Sequence, residues 1–171
     1  MTHDRLPAHS AFGVVIPAYQ EAGRIGEVVR RTRPYVADVV VVDDGSADGT
    51  SAEARAAGAR VVRHPTNLGK GRAIRTGIRA AIRSGWETVL FLDGDGQHDA
   101  GEIPRMLEAY GRTRAAIVLG NRMEGDLSSM PRLRIWTNRL TSRVVSWLAG
   151  SRVHDSQCGF RAFTAEAYKK V

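Results

Sequence analysis

Cysteine is nearly absent: Cys158 is the single one in 171 residues. An internal disulfide is therefore impossible, and a reducing cytoplasm suits the chain. Cys158 has no obvious activating pair beside it and reads as structural. Long apolar runs are missing too. The run Val39–Val42 meets Asp43 and Asp44 at once. A spanning helix needs roughly 18 apolar residues, so none is expected. The N-terminal MTHDRLPAHS lacks an apolar centre and is not a secretory signal. No repeat or low-complexity linker divides the chain. Residues 1–10 are expected as a loose tail and residues 11–171 as one domain.

Acidic residues are scarce only at one end. Residues 1–111 hold 14 Lys and Arg against 14 Asp and Glu, whereas residues 112–171 hold 11 against 4. The whole net charge of +7 thus sits in the last 60 residues. Such asymmetry suits a surface that faces phosphate or an anionic membrane, or a plain solvated surface. The neutral first part argues against nucleic acid as the partner.

With 43% apolar and 25% charged residues the composition is ordinary for a globular protein. Strand signals alternate with helix signals. FGVVIP (12–17), DVVVVDD (38–44), ARVVRH (59–64), TVLFLD (88–93) and AAIVLGNR (115–122) read as strands. Helices are expected over 22–33, from GSADGT to about Ala57, from the end of the NLGKG loop (67–71) to about Ser84, and over 101–110. In the third helix Ile74, Ile78, Ala81 and Ile82 read as the apolar stripe, with Arg72, Arg75, Arg79 and Arg83 as a solvated one. This alternation predicts an α/β fold with a mostly parallel sheet.

Open parallel sheets bind ligands beyond the carboxyl ends of their strands. Unusual polar residues cluster at those ends: Pro17, Tyr19 and Glu21; Asp43 and Asp44; Asp93, Asp95 and Gln97; and Arg122. Asp93 and Asp95 are two apart, so in extended chain both carboxylates project to one side. They repel each other unless a cation lies between them. Oxygen ligands suit Mg²⁺ or Mn²⁺, which bridges to substrate phosphates. Asp93, Asp95 and Gln97 are therefore the expected metal and diphosphate site, with His98 in a non-ligand role. Asp44 is the candidate for accepting a base N–H, while Ser46 or Asp48 caps the next helix.

NLGKGRAIRTG (67–77) is not a P-loop, because Gly71 follows Lys70 and position 64 is His. Lys70 is open to two readings, a diphosphate contact or a plain loop residue. PRLRIWTNRLTSRVVSWLAG (131–150) repeats Leu133, Trp136, Leu140, Val144, Trp147 and Leu148 at helical spacing, with Arg132, Arg139 and Arg143 largely elsewhere. That is a membrane-surface helix or a core-facing helix with a basic outside. Arg134 or Arg139 is also placed to turn toward an anionic substrate. Asp155 reads as a general base, a sugar contact or a cap.

Six segments in order carry a resemblance: PAYQE (17–21), VVDDGSADGT (41–50), NLGKGRA (67–73), DGDGQH (93–98), GNR (120–122) and DSQCGFRAF (155–163). Together they resemble family 2 glycosyltransferases of GT-A fold, most of all the dolichol-phosphate mannosyltransferase and polyprenyl-phosphate glycosyltransferase branch. The resemblance implies a nucleotide-sugar donor, a divalent metal and inversion at the anomeric carbon. Pro17, Tyr19, Glu21, Asp44, Lys70 and Asp93 would bind the nucleotide sugar. Asp95, Arg122, Arg134 and Asp155 would serve catalysis. The acceptor would be a polyprenyl phosphate, with the 131–150 helix on the cytoplasmic face of a membrane. A glycan hydroxyl acceptor, and donor binding without turnover, are the alternatives. A nucleotidyltransferase would need a glycine-rich basic loop after the first strand, where this chain has AYQEAGR. Two departures stand out. Gln20 replaces the usual Asn, and Ala100–Gly101 replaces Pro-Glu. The chain also ends eight residues after Phe163, so an incomplete acceptor half is expected.

Overall fold

Val39–Asp43 is buried at every position, as a strand covered on both faces requires. In this computed structural model the chain is described over residues 12–96, 98–113, 115–120, 141–143, 146 and 159–168. Strand β1 (Phe12–Ala18) lies between β2 (Val39–Asp43) and β4 (Thr88–Phe91), parallel to both. Strand β3 (Arg60–Arg63) pairs in parallel with β2. The six-stranded sheet runs β3-β2-β1-β4-β6-β5. The α/β sheet expected from the alternation is present and mostly parallel.

The sixth strand was not expected. Arg161–Thr164 forms β6 and inserts antiparallel between β4 and β5 (Ile117–Leu119). Four residues behind a glycine carry too little pattern to show a strand; cross-strand pairing makes it one. The β5 run is also shorter than its sequence signal, and Ile117 is 48% exposed at this sheet edge.

Side chains of β1 alternate between two cores. Val14 and Ile16 pack with Ile25 and Val29 of α1 (Ile25–Thr32) and with Ile103 and Leu107 of α4 (Ile103–Thr113). Val15 points the other way, to Ala73 and Ala81 of α3 (Lys70–Arg83). The start of α1 has no cap of its own. Glu53, on α2 (Thr50–Ala56), accepts from Gly23 N at 2.6 Å and Gly26 N at 3.0 Å instead. Before α4 comes a single 3₁₀ turn, Ala100–Glu102, capped by Asp99 through Gly101 N. The Ala100–Gly101 departure thus leaves a tight, capped entry.

Of the apolar stripe of α3, Ala81 is buried and Ile74 and Ile78 pack against the core, whereas Ile82 is 42% exposed and needs correction. The most buried line of the helix is Ala73, Gly77 and Ala81. Small residues win because α3 lies directly on β1: a Cβ on Gly77 would sit 2.2 Å from Val15 Cγ1. The four arginines of α3 are exposed, as read.

Of the 131–150 segment, residues 141–143 and 146 are helical, and Ser146 Oγ donates to the Ser142 carbonyl at 2.6 Å. Trp136 and Trp147 lie outside the described residues, as do Leu133, Arg134 and Arg139. Among the described residues no helix is long and apolar enough to cross a membrane.

Packing on β1 gives opposite outcomes for two glycines of one helix. Gly77→Val should destabilise by about 1–3 kcal/mol through overpacking. Gly71→Ala, with open space around it, should stabilise by about 0.5 kcal/mol through helix propensity. Urea unfolding of both variants checks the signs; an unchanged midpoint for Gly77→Val would contradict the close approach.

Candidate functional site

Two loops leave the carboxyl rim of β1 and β2 and are sewn together by backbone amides. Gln20 N donates to Ser46 Oγ at 2.9 Å, Glu21 N to Thr50 Oγ1 at 2.9 Å and Ala22 N to Asp48 Oδ2 at 3.2 Å. Gln20 adopts φ +57°, a conformation that Asn tolerates better than Gln. This gives a physical reason for an Asn preference there. Asp48 also accepts from Thr50 N at 3.0 Å, closing the start of α2. Ser46 is fully buried and serves the loop junction. Neither residue is the cap expected from sequence: Gly49 stands at the N-cap position, without a side-chain cap bond, and Asp48 closes the turn before it.

The stitched loops bound a cleft of about 450 Å³. Pro17, Tyr19, Glu21, Asp44, Lys70, Asp93 and Asp95 all line it. Seven positions singled out from sequence therefore meet at one place, although they come from four separate loops. Asn67, Gly69 and Ala73 complete the wall and were not anticipated. Gln97, Arg122, Arg134 and Asp155 lie outside the described residues.

Asp93 is the most tightly held group of the cleft. Lys70 Nζ lies 2.6 Å from its Oδ1, and His98 Nε2 lies 3.5 Å from its Oδ2. Burial pushes the Asp93 carboxyl up, but His98 and Lys70 together reverse this and hold it well below the usual carboxylate range. Gly159 presses on the same group: a Cβ there would meet Asp93 Oδ2 at 2.0 Å. Phe160 follows, buried, with its ring 6.0 Å from that of His98. The C-terminal motif thus reaches the site through β6. Glycine inside that motif was visible in the sequence; its contact with Asp93 was not.

Glu21 behaves oppositely. Burial raises its pKa, Arg24 at 3.0 Å lowers it, and the charges of Asp95, Asp48 and Asp93 raise it again. Its buried Oε2 has no hydrogen bond, only the ion pair with Arg24 Nη2 at 3.0 Å. Glu21, Asp93 and Asp95 therefore make a cleft with negative charge in excess. Among the described residues no three acidic, His or Cys side chains already surround one point. Two carboxylates plus diphosphate oxygens and water are nonetheless what Mg²⁺ or Mn²⁺ commonly uses. The donor set fits such an ion.

Asp44 is almost completely buried. His64 Nδ1 donates to its Oδ1 at 2.6 Å, Leu68 N to the same oxygen at 3.0 Å, and Gly69 N to Oδ2 at 2.7 Å. Burial opposes its ionisation, but these donors win and its pKa falls. Asp44 and Asp93 both titrate below their ordinary value of 3.8 in the folded chain. Their stabilisation is fully present above that value and lost as pH falls through the folded ones. Urea unfolding from pH 6 to pH 3 should show stability falling on the acid side, with a shallower fall for Lys70→Met. A limb of identical steepness in the variant would contradict the Asp93–Lys70 coupling.

The glycosyl transferase family 2 model matches residues 13–171. Glycosyltransferase AglJ of Haloferax volcanii is 35% identical over 95% of this chain and 53% of its own length. The undecaprenyl-phosphate mannosyltransferase of Micrococcus luteus is 33% identical over 92% of this chain and 68% of its own. Among solved structures, glucosyl-3-phosphoglycerate synthase of Mycobacterium tuberculosis, in complex with Mn²⁺, UDP-glucose and phosphoglyceric acid, superimposes with a TM-score of 0.72. It is 25% identical, and the match covers 97% of this chain and 62% of that one. This chain spans between about half and two-thirds of the lengths of these proteins. With a match along nearly its whole length and the GT-A arrangement of its sheet, the chain belongs to glycosyl transferase family 2.

Proposed function

We propose that this chain is the donor-binding part of an inverting glycosyltransferase that moves a hexose from a nucleotide-diphosphate sugar, of GDP-mannose or UDP-glucose type, to a polyprenyl phosphate. One observation carries the reading: Pro17, Tyr19, Glu21, Asp44, Lys70, Asp93 and Asp95 line a single rim cleft. Relatives support the acceptor. Besides the Micrococcus luteus enzyme, the polyprenol monophosphomannose synthase of Mycolicibacterium smegmatis is 30% identical over 92% of this chain.

Each residue then has a task. Tyr19, 43% exposed at the mouth, lies against the nucleoside with Pro17. Asp44 lies on the wall that meets the base. Asp93 and Asp95, with Gln97, would hold Mg²⁺ or Mn²⁺, which when bound supplies positive charge to the departing diphosphate. Lys70 is 58% exposed and long enough to turn from Asp93 to a diphosphate oxygen, adding a second cation where negative charge develops. A phosphate oxygen of the acceptor forms the new bond to the anomeric carbon as the bond to the diphosphate oxygen breaks. That oxygen is already anionic, so no general base is required. Arg122 and Arg134 are proposed to face the donor or lipid phosphate. Asp155 is the proposed base if a hydroxyl is the acceptor. The 131–150 segment, with Trp136, Trp147 and its arginines, is the proposed contact with the membrane surface.

A donor panel with short-chain polyprenyl phosphate and Mn²⁺ or Mg²⁺ tests the reading. One donor should give lipid-linked sugar, chelator should stop the reaction, and Asp95→Ala should lower kcat by about 100-fold or more. Nucleoside diphosphate binding without turnover would leave a donor domain only. Absence of both would sink the transferase reading. A second measurement isolates the ion: Mn²⁺ should raise the thermal midpoint of the wild type and not that of Asp95→Ala.

A further inference from the structure

We propose that His64 is a positioning residue for the donor cleft: through Asp44 it holds the 66–70 loop in the form that carries Lys70 over Asp93. The proposal rests on the donor-binding reading above and assigns a role to a residue that does not line the cleft.

His64 follows β3 directly, and its side chain is 9% exposed. Its ring joins two elements. Nδ1 lies 2.6 Å from Asp44 Oδ1 at the end of β2, and Nε2 lies 2.8 Å from Thr76 Oγ1 on α3. A carboxylate only accepts, so Nδ1 carries the proton. At Nε2 the Thr76 hydroxyl can take either role in the bond, since it both donates and accepts. Both ring nitrogens are satisfied, and the imidazole is fixed at each end.

Asp44 passes this constraint on. Its two oxygens accept from Leu68 N and Gly69 N, at 3.0 and 2.7 Å. Asn67 Oδ1 shares the Gly69 amide at 2.9 Å. The other side of the loop is closed by Gly45, whose absent Cβ would lie 2.3 Å from the Thr66 carbonyl carbon. The next residue, Lys70, begins α3 and places Nζ 2.6 Å from Asp93 Oδ1. A continuous set of short contacts therefore runs from His64 to Asp93. Without the ring, Asp44 loses a charge-assisted bond in a buried place and is free to rotate away from the two amides. Loop geometry, and with it the reach of Lys70, would then vary. A rigid ring with polar atoms on opposite sides does this better than a flexible amide.

Three variants test the proposal: His64→Leu, His64→Asn and Thr76→Val. Asn keeps a donor near the Nδ1 position. In ligand-free protein, amide hydrogen exchange at Leu68 and Gly69 should quicken about tenfold or more in His64→Leu, with Val40–Val42 unchanged. His64→Asn should restore most of the protection. With Mn²⁺ present, the Kd for UDP or GDP and the donor KM should rise about tenfold in His64→Leu while kcat changes less than about threefold. Thr76→Val should move the same quantities in the same direction by less, and it serves as the test if His64→Leu does not fold. Unchanged exchange at Leu68 and Gly69 overturns the proposal. Faster exchange with unchanged nucleotide affinity overturns it too, because the ring would then serve the loop alone. A wild-type chain that binds neither UDP nor GDP overturns the donor reading and this proposal with it. That result differs visibly from a wild type and a His64→Leu variant that bind equally well.

Discussion

Two adjacent carboxylates at the end of β2 hold the cleft together. Asp43 is fully buried and takes Ser46 N at 2.9 Å, the Ser51 hydroxyl, and the edge of Arg63 at 3.6 Å. Asp44 takes His64, Leu68 N and Gly69 N. One carboxylate thus organises the loop into α2, and its neighbour organises the loop into α3. Buried charge is costly unless it is paired, and here the acceptors are filled by Ser46 N, Leu68 N, Gly69 N and His64 from segments outside helix and strand, and by Ser51 of α2 and Arg63 of β3. The cost of burying the carboxylates and the disorder of the loops are offset by the same bonds. The β1–α1 loop then rests on this base through Ser46, Asp48 and Thr50.

Above that satisfied layer lies one that is not satisfied. Glu21 has a buried oxygen without a hydrogen bond and a pKa raised by burial and by neighbouring acids. Burial raises the Asp93 pKa, and His98 and Lys70 bring it back below its ordinary value. A protein selected for stability alone would not place Glu21, Asp93 and Asp95 round one cleft. The strain is local because the lower layer does not yield: like charges remain close only where the backbone beneath them is fixed. Among the described residues lining the cleft, Lys70, mostly exposed and ending a long flexible stem, is the one cation able to move without breaking the core.

Much of this was legible in the sequence, for identifiable reasons. The valines of β2 predicted a strand covered on both faces, and the acids directly after Val42 and Leu92 predicted a polar rim. Seven cleft residues followed from those two signals and the motif order. What stayed hidden depended on distance in the chain. His64 gains meaning only from a contact with Asp44, which lies 20 residues before it, and Thr76 only from its contact with His64. In the α3 stripe Ile82 misled and Gly77 was passed over, because isoleucine outranks glycine by hydrophobicity, whereas close approach to Val15 favours the smallest residue. β6 was missed because four residues owe their strand form to β4 and β5 on either side.

That missed strand bears most on how the site is assembled. β6 runs antiparallel between β4 and β5, with Phe91 opposite Arg161 and Leu119 opposite the same residue. It is the last of the described strands in chain order and yet not an edge among them. The sheet cannot acquire β5 until β6 has returned to cover β4. The same return lays Gly159 on Asp93 and Phe160 beside His98. Completing the sheet and closing the acidic side of the cleft are therefore one event. Loop closure over so long a segment is entropically unfavourable, and the pairing on both sides of β6 together with burial of Phe160 and Ala162 offsets it. The cleft is lined by residues of the first hundred, but Gly159, just before β6, packs on its Asp93.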